Sequence, residues 1–180
     1  NRLELAEPLY DLVDRARPRL RDWCRRFFGT EGEFLFHATD PRGEPVFDSA
    51  SCQIEANGLA WVCHHYWLHW RYSQDLGFLR ERAFPLMREA VRPLLALLET
   101  GADGRLHLPW GSSPEYAGRS GTLWGPDPTC DLALIRFLCG ALLEAADLLA
   151  PSDPERARWA DALERLAPYP EDGTGLKVRA

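Results

Sequence analysis

From Ala56 to Trp70 the chain carries no Asp, Glu, Lys or Arg, only histidines among large apolar groups. The stretch EANGLAWVCHHYWLHWRYS, residues 55–73, reads as a helix. A helix apolar on every side is expected to be buried on every side, which demands neighbours around its whole circumference. The next stretch, 75–99, is of another kind. Leu79, Ala83, Leu86, Ala90, Leu94 and Leu97 form one stripe, and Arg80, Glu81, Arg88, Glu89 and Arg92 occupy the rest. The pair then recurs. DPTCDLALIRFLCGALLEAADLLA (127–150) is apolar nearly all round, and SDPERARWADALERL (152–166) carries a narrow stripe of Ala157, Ala160, Leu163 and Leu166. A buried helix followed by an amphipathic one, twice over, is the order of inner helices wrapped by outer ones. The expected class is therefore all-α, an arc of an α/α toroid with 55–73 and 128–149 inside and 75–99 and 152–166 outside. The segments are too few to close such a ring, and no fixed-period self-similarity suggests a solenoid.

Local signals refine these segments. Residues 3–28 are amphipathic, with Leu5, Leu9, Leu12, Val13, Ala16, Leu20, Trp23 and Phe27 as the apolar set. Pro18 is expected to bend or interrupt that helix, and Pro85 to begin a fresh one. Asp127 before Pro128, and the acid and proline of SDPE, read as helix starts with an acidic cap.

The apolar fraction of 46% suffices for a core in 180 residues. The net charge of −6, with arginines mixed among acids, excludes a nucleic-acid binder, since no basic run could collect phosphates. No apolar run is long enough to span a bilayer, and residues 1–20 lack a signal-peptide pattern. The chain opens in mid-helix, as a piece cut from something longer would. Cys24, Cys52, Cys63, Cys130 and Cys139 lack metal-type spacing, and those in apolar helical stretches read as small core residues. They leave the compartment open.

The candidate chemistry lies in the polar excursions. PWGSSPEY (109–116) and the AGRSGTLWGPDP after it form a long interruption between helices, a kind of segment often functional. Glu115 stands there among Trp110, Tyr116 and Trp124. A carboxyl among aromatics loses hydration, which raises its pKa, and a glutamic acid still protonated near neutrality can donate to a leaving oxygen. An exposed loop glutamate is the plainer reading. A second excursion, EFLFHATDPRGEPVF (33–47), brings His37 and Asp40 together, and an Asx turn would account for Asp40. On the charge-free helix, Trp61, His65, Trp67, His69 and Trp70 serve either as core or as flat platforms for a sugar ring. His65 and His69 are four apart, as a metal pair would be. With no H-E-x-x-H pattern and no third ligand nearby, histidines buried and bonded to neighbouring loops fit better.

Taken together these segments resemble glycoside hydrolase family 95, the inverting α-L-fucosidases. GLAWVCHHYWLHWRYSQDLGFLRERAFPLMREAVRPLLALLE is similar to the family's stretch that leads through a short strand-like segment into SPEN, and GRLHLPWGSSPEY follows here in the same place. TCDLALIRFLCGALLEAADLL and RARWADALERLAPYPEDGTGL also match in order, and HATD at 37–40 echoes HNTD. The resemblance implies an (α/α)6 barrel of the six-hairpin glycosidase type, of which the whole chain would be one incomplete part. It implies that Glu115 is the general acid, and that His37, Asp40, Trp61, His65 and Trp67 face or border the sugar pocket; on this reading Trp61 and, in the excursion, Trp110 would supply apolar walls. The partner would be an oligosaccharide or glycoconjugate, with no metal or other cofactor.

Three departures bear on which sugar is accepted, L-fucose or L-galactose. Tyr116 replaces Asn after the glutamate, HNTDIW becomes HATDPR, and Leu59 is inserted after Gly58. The family's water-activating asparagine pair and its second acid have no counterpart in these residues. Inversion needs two opposed groups about 6.5–9.5 Å apart. The 180 residues alone are thus expected to be inactive. Two other classes remain open at this level: a non-catalytic helical carbohydrate-binding or scaffolding module, and an α/α-barrel sugar epimerase or lyase. Removing the Glu115 carboxyl would cost much turnover with binding retained in the hydrolase and would weaken binding or do nothing in a binding module, and an epimerase would release no free sugar.

Overall fold

The computed structural model describes residues 2–46, 56–112 and 124–180, which divide into two compact units, 1–93 and 94–180. Both are mainly helical, as the all-α reading requires, and among the described residues the named strands are two-residue pairs in the second unit.

In the first unit a 3₁₀ turn, Leu3–Ala6, leads into α1 (Glu7–Phe28). The interruption expected at Pro18 is absent, and α1 is one helix. A proline inside a helix costs about 3 kcal/mol, whereas each large side chain fully buried contributes roughly 1.5–3 kcal/mol. Tyr10, Val13 and Leu20, all buried on either side of Pro18, outweigh it. The buried face is Tyr10, Val13, Ala16, Leu20 and Cys24, while Leu5, Leu9 and Phe27 stay exposed, so the expected stripe is rotated. Tertiary bonds set that phase. The Tyr66 hydroxyl donates to the Tyr10 carbonyl at 3.2 Å, and the Tyr10 hydroxyl donates to that of His65 at 3.4 Å.

Helix α2 (Gly58–Ser73) buries Leu59, Ala60, Cys63, Tyr66, Trp67, His69 and Trp70. Trp61 is 55% exposed and Tyr72 68%, and His65 between them is exposed too. The expectation of burial on every side is therefore corrected. Apolar composition says what a helix can bury, not which neighbours it has, and imidazole and indole edges tolerate water.

Asp75 caps the next helical stretch, accepting from the amides of Gly77 at 2.8 Å and Phe78 at 3.1 Å. One turn, Leu76–Phe78, passes into a π turn, Leu79–Ala83, and then α3 (Phe84–Ala96). A helix does begin beside Pro85, but without a gap. The Phe84 amide reaches back five residues to the Leu79 carbonyl, and the widened turn accommodates the proline. The π turn also presents Arg82 to α1, where it meets Glu7 at 2.8 Å, Asp11 at 2.9 Å and Asp14 at 2.8 Å. Leu79, Ala83, Leu86 and Ala90 are buried as their stripe implied, and Met87 and Val91 join them. In this unit α3 is thus buried as deeply as α2, and the expected inner-to-outer contrast between them is not seen.

In the second unit β1 (Glu99–Thr100) pairs with β2 (Leu106–His107), and β3 (Gly111–Ser112) with β4 (Trp124–Gly125), both antiparallel. Helix α4 (Thr129–Leu149) buries Leu132, Ile135, Leu138, Cys139, Leu142, Ala145 and Ala146. Helix α5 (Arg156–Arg165) buries Trp159 and Ala162, and Leu166 follows them. Ala157 and Ala160 are exposed, so the alanine stripe is corrected. One indole offers far more apolar area than two methyl groups and sets the phase. Neither helix start has the expected cap. Pro128 and Glu155 occupy the cap positions, and neither side chain makes a capping hydrogen bond. Asp153 instead accepts from the Glu155 amide at 2.9 Å, and Asp127 turns away from α4. A third hairpin, β5 (Glu171–Asp172) with β6 (Gly175–Leu176), follows α5.

Candidate active site

In the first unit, the segment holding His37 and Asp40 is fastened before it reaches them. Pro93 has no N–H for the Glu89 carbonyl, and the Glu33 amide takes that acceptor at 3.0 Å. The Glu33 carboxylate is fully buried and receives Arg17 at 2.9 Å and Arg21 at 2.9 Å. Burial pushes its carboxyl up, opposed by the two guanidiniums. Phe34 and Phe36 then bury against Trp23, with the Trp23 and Phe36 rings 5.1 Å apart edge to face. At Gly58 a Cβ would stand 2.8 Å from the Leu35 carbonyl, so the first turn of α2 touches this segment. That contact joins the segment, two residues before His37, to the end of α2 that carries Trp61.

His37 is exposed. Asp40 is engaged in its own turn, as the Asx reading had it: one oxygen accepts from the amides of Arg42 at 2.8 Å and Glu44 at 3.0 Å, the other from the Arg42 guanidinium at 2.9 Å. The Glu44 amide above all holds the carboxyl below the usual range. Arg19 fixes the turn to α1 through Glu44 at 2.8 Å. Asp40 thus shapes the loop behind His37.

On α2, Trp61 and His65 lie on the exposed stripe, one turn apart. Trp67 is buried on another face, with the Arg71 guanidinium 5.9 Å from its ring. His69 is buried and stacked on Phe78 at 4.0 Å, whereas His65 is open, so burial in bonded contact with loops does not describe both histidines. Among the described residues no group of three or more His, Cys, Asp or Glu could hold a metal ion.

In the second unit, Trp110 is half exposed just ahead of β3. Glu115 lies outside the described residues. What is described is the stem from which residues 113–123 depart and return, with Gly111 opposite Gly125 and Ser112 opposite Trp124. A Cβ on Gly111 would come within 2.7 Å of Asp131 and 2.8 Å of Pro128, so the stem sits tightly against the start of α4. Behind it is a cluster that the sequence reading missed. His107 Nδ1 is 2.6 Å from Asp127, and Nε2 is 3.1 Å from Asp103. The second Asp127 oxygen accepts from the Leu108 amide at 2.8 Å, and the Asp127 amide donates to the Leu108 carbonyl at 2.9 Å. The bond to Asp127 is the main cause that raises the His107 pKa. The one signal in the sequence was a histidine before the excursion and an acid just after it.

Residues 1–175 match the glycosyl hydrolase family 95 catalytic domain. The chain is 26% identical over 157 residues to the protein named alpha-L-fucosidase 2 of Arabidopsis thaliana, covering 83% of this chain and 18% of that protein. It is 30% identical over 119 residues to the probable alpha-fucosidase A of Aspergillus niger, covering 63% of this chain and 15% of that protein. It thus spans under a fifth of either relative's length. Since the match runs through both helical units and across both excursions, the chain belongs to glycosyl hydrolase family 95.

Proposed function

We propose that residues 1–180 form part of one catalytic domain of an exo-acting, inverting α-L-fucosidase-type glycosidase, and that they supply its general acid, Glu115. Its substrate is an oligosaccharide or glycoconjugate ending in L-fucose or the closely related L-galactose. Glu115 donates its proton to the glycosidic oxygen. Trp61 and Trp110 offer apolar faces to the sugar, His37 and His65 bond its hydroxyls, Asp40 shapes the turn beside His37, and Trp67 backs the wall from within the core. The reading needs no cofactor.

The observation that carries it is the family match through the Glu115 stretch, supported by a stem that returns the chain to the start of α4 on either side of that stretch. The names of the two relatives support the fucosidase class. The test is Glu115→Gln in the full-length protein. Turnover of natural glycosides should fall about 10²–10⁴-fold, the usual contribution of general-acid catalysis. Aryl glycosides with activated leaving groups should lose less, and the basic limb of the pH–rate profile should disappear. Equal losses on both substrate types with an unchanged basic limb would remove Glu115 from the role.

A further inference from the structure

His107 faces carboxylates with both ring nitrogens, Asp127 at Nδ1 and Asp103 at Nε2. Only the imidazolium donates from both; a neutral ring would turn one lone pair onto a carboxylate oxygen. Asp127 in turn holds both the amide and, through its own N–H, the carbonyl of Leu108, with its backbone at the left-handed φ of 45°. Asp127 lies two residues after β4, and Leu108 three before β3. The cluster therefore ties together the two chain segments that form the stem.

We propose that His107 in its charged form is a positioning residue for the general acid, locking through Asp127 the β3–β4 stem from which the Glu115 segment springs. The inference rests on the Glu115 reading above. His107 touches no reacting atom and acts on catalysis only by fixing where that segment starts and ends. The other charged groups around it do not replace the lock. Glu99 is its cross-strand partner in β1, Arg165 of α5 binds the Gly104 carbonyl at 3.2 Å and Thr100 at 3.1 Å, and Asp131 abuts Gly111.

The sign of the pH effect follows from the raised His107 pKa. The lock is complete below the ordinary histidine value and is lost as pH rises through the folded-state value. In wild-type protein, amide exchange of Leu108 and Asp127, corrected for intrinsic rates, should accelerate on the alkaline side of that titration.

The experiment uses the full-length protein with His107→Ala and His107→Asn, the second keeping a donor toward Asp127 without a charge. His107→Ala should speed exchange of the two amides at acidic pH. It should lower kcat on natural glycosides roughly 10- to 100-fold, the scale on which catalytic groups respond to misplacement of about 1 Å, with KM little changed. His107→Asn should recover part of kcat and abolish the pH step in exchange. Unchanged exchange in His107→Ala, or faster exchange with kcat and the pH profile untouched, overturns the proposal. The wild-type pH series needs no variant, and the absence of its step overturns the proposal even where His107→Ala does not fold. Glu115→Gln run in parallel separates the two readings. If that variant keeps full turnover, the acid assignment falls whatever His107 does. If it is impaired while His107→Ala is not, the acid stands and the lock falls.

Discussion

Replacing Gly32 by alanine tests how the His37 segment is held. Gly32 has a φ of +130°, and a Cβ there would stand 2.6 Å from Pro93 Cδ, 2.8 Å from the Glu89 carbonyl and 3.1 Å from Arg92 Cβ. A ring and a backbone oxygen cannot swing aside as a side-chain tip can. Gly29 is an internal control: its φ is +63°, but nothing lies within 4 Å of a Cβ placed there. Gly29→Ala should therefore show only left-handed strain, about 1 kcal/mol. For Gly32→Ala the strain is roughly 1–3 kcal/mol and the forced displacement a similar amount. Lifting the segment also breaks the Glu33 amide bond to Glu89, worth about 1 kcal/mol. The total is about 3–7 kcal/mol, at least 2 kcal/mol beyond the control. Equilibrium urea unfolding of the full-length protein, followed by tryptophan fluorescence with Trp23 beside Phe36 as local reporter, measures the difference. If the two variants unfold within about 1 kcal/mol of each other, the close approach to Pro93 does not hold the segment.

Two further outcomes concern the aromatic helix and the thiols. Trp61→Ala should leave stability within about 0.5 kcal/mol, because Trp61 is exposed, while raising KM; Trp67→Ala should instead destabilise by roughly 3–5 kcal/mol, because it is buried. Matched urea titrations and steady-state kinetics distinguish them, and equal destabilisation would contradict the assigned faces of α2. Burial pushes the Cys24 thiol up to about 11, Cys139 up to about 12 and Cys63 higher still. All three should resist iodoacetamide in the native protein at neutral pH and react on unfolding, since the thiolate is the nucleophile. Mass mapping of alkylated peptides checks this, and native labelling of Cys139 would refute the packing of α4.

Where one element dominates a stretch, its reading survived folding. The stripe Leu79, Ala83, Leu86 and Ala90 is buried as its spacing implied, because contacts at three and four residues are made within the helix whatever surrounds it. Where two apolar faces competed, spacing could not choose. The stretch from Leu5 into α1 offered Leu5 and Leu9 on one side and Tyr10 and Val13 on another, and the bonds between Tyr10 and α2 decided for the second. In the candidate site, HATD and PWGSSPEY stood out as excursions, and the Asx turn at Asp40 was legible because its acceptor and donors lie within four residues.

Sequence alone determined that the chain is helical, where its excursions fall, and, by likeness, which family it belongs to. These rest on local periodicity, on turn residues with restricted dihedrals, and on the order of motifs along the chain. Only the tertiary structure decided which partners the buried and partly buried polar groups take. Arg17 and Glu33 are 16 residues apart, His107 and Asp127 are 20, and Arg82 reaches Glu7 across 75. A buried charge needs a partner, but nothing in its neighbours along the chain says which one folding will bring. The same holds for Pro18 and Pro93. Each lacks a donor as its residue type dictates and each is carried inside an unbroken helix, but only the fold brings the Glu33 amide to the carbonyl that Pro93 leaves over.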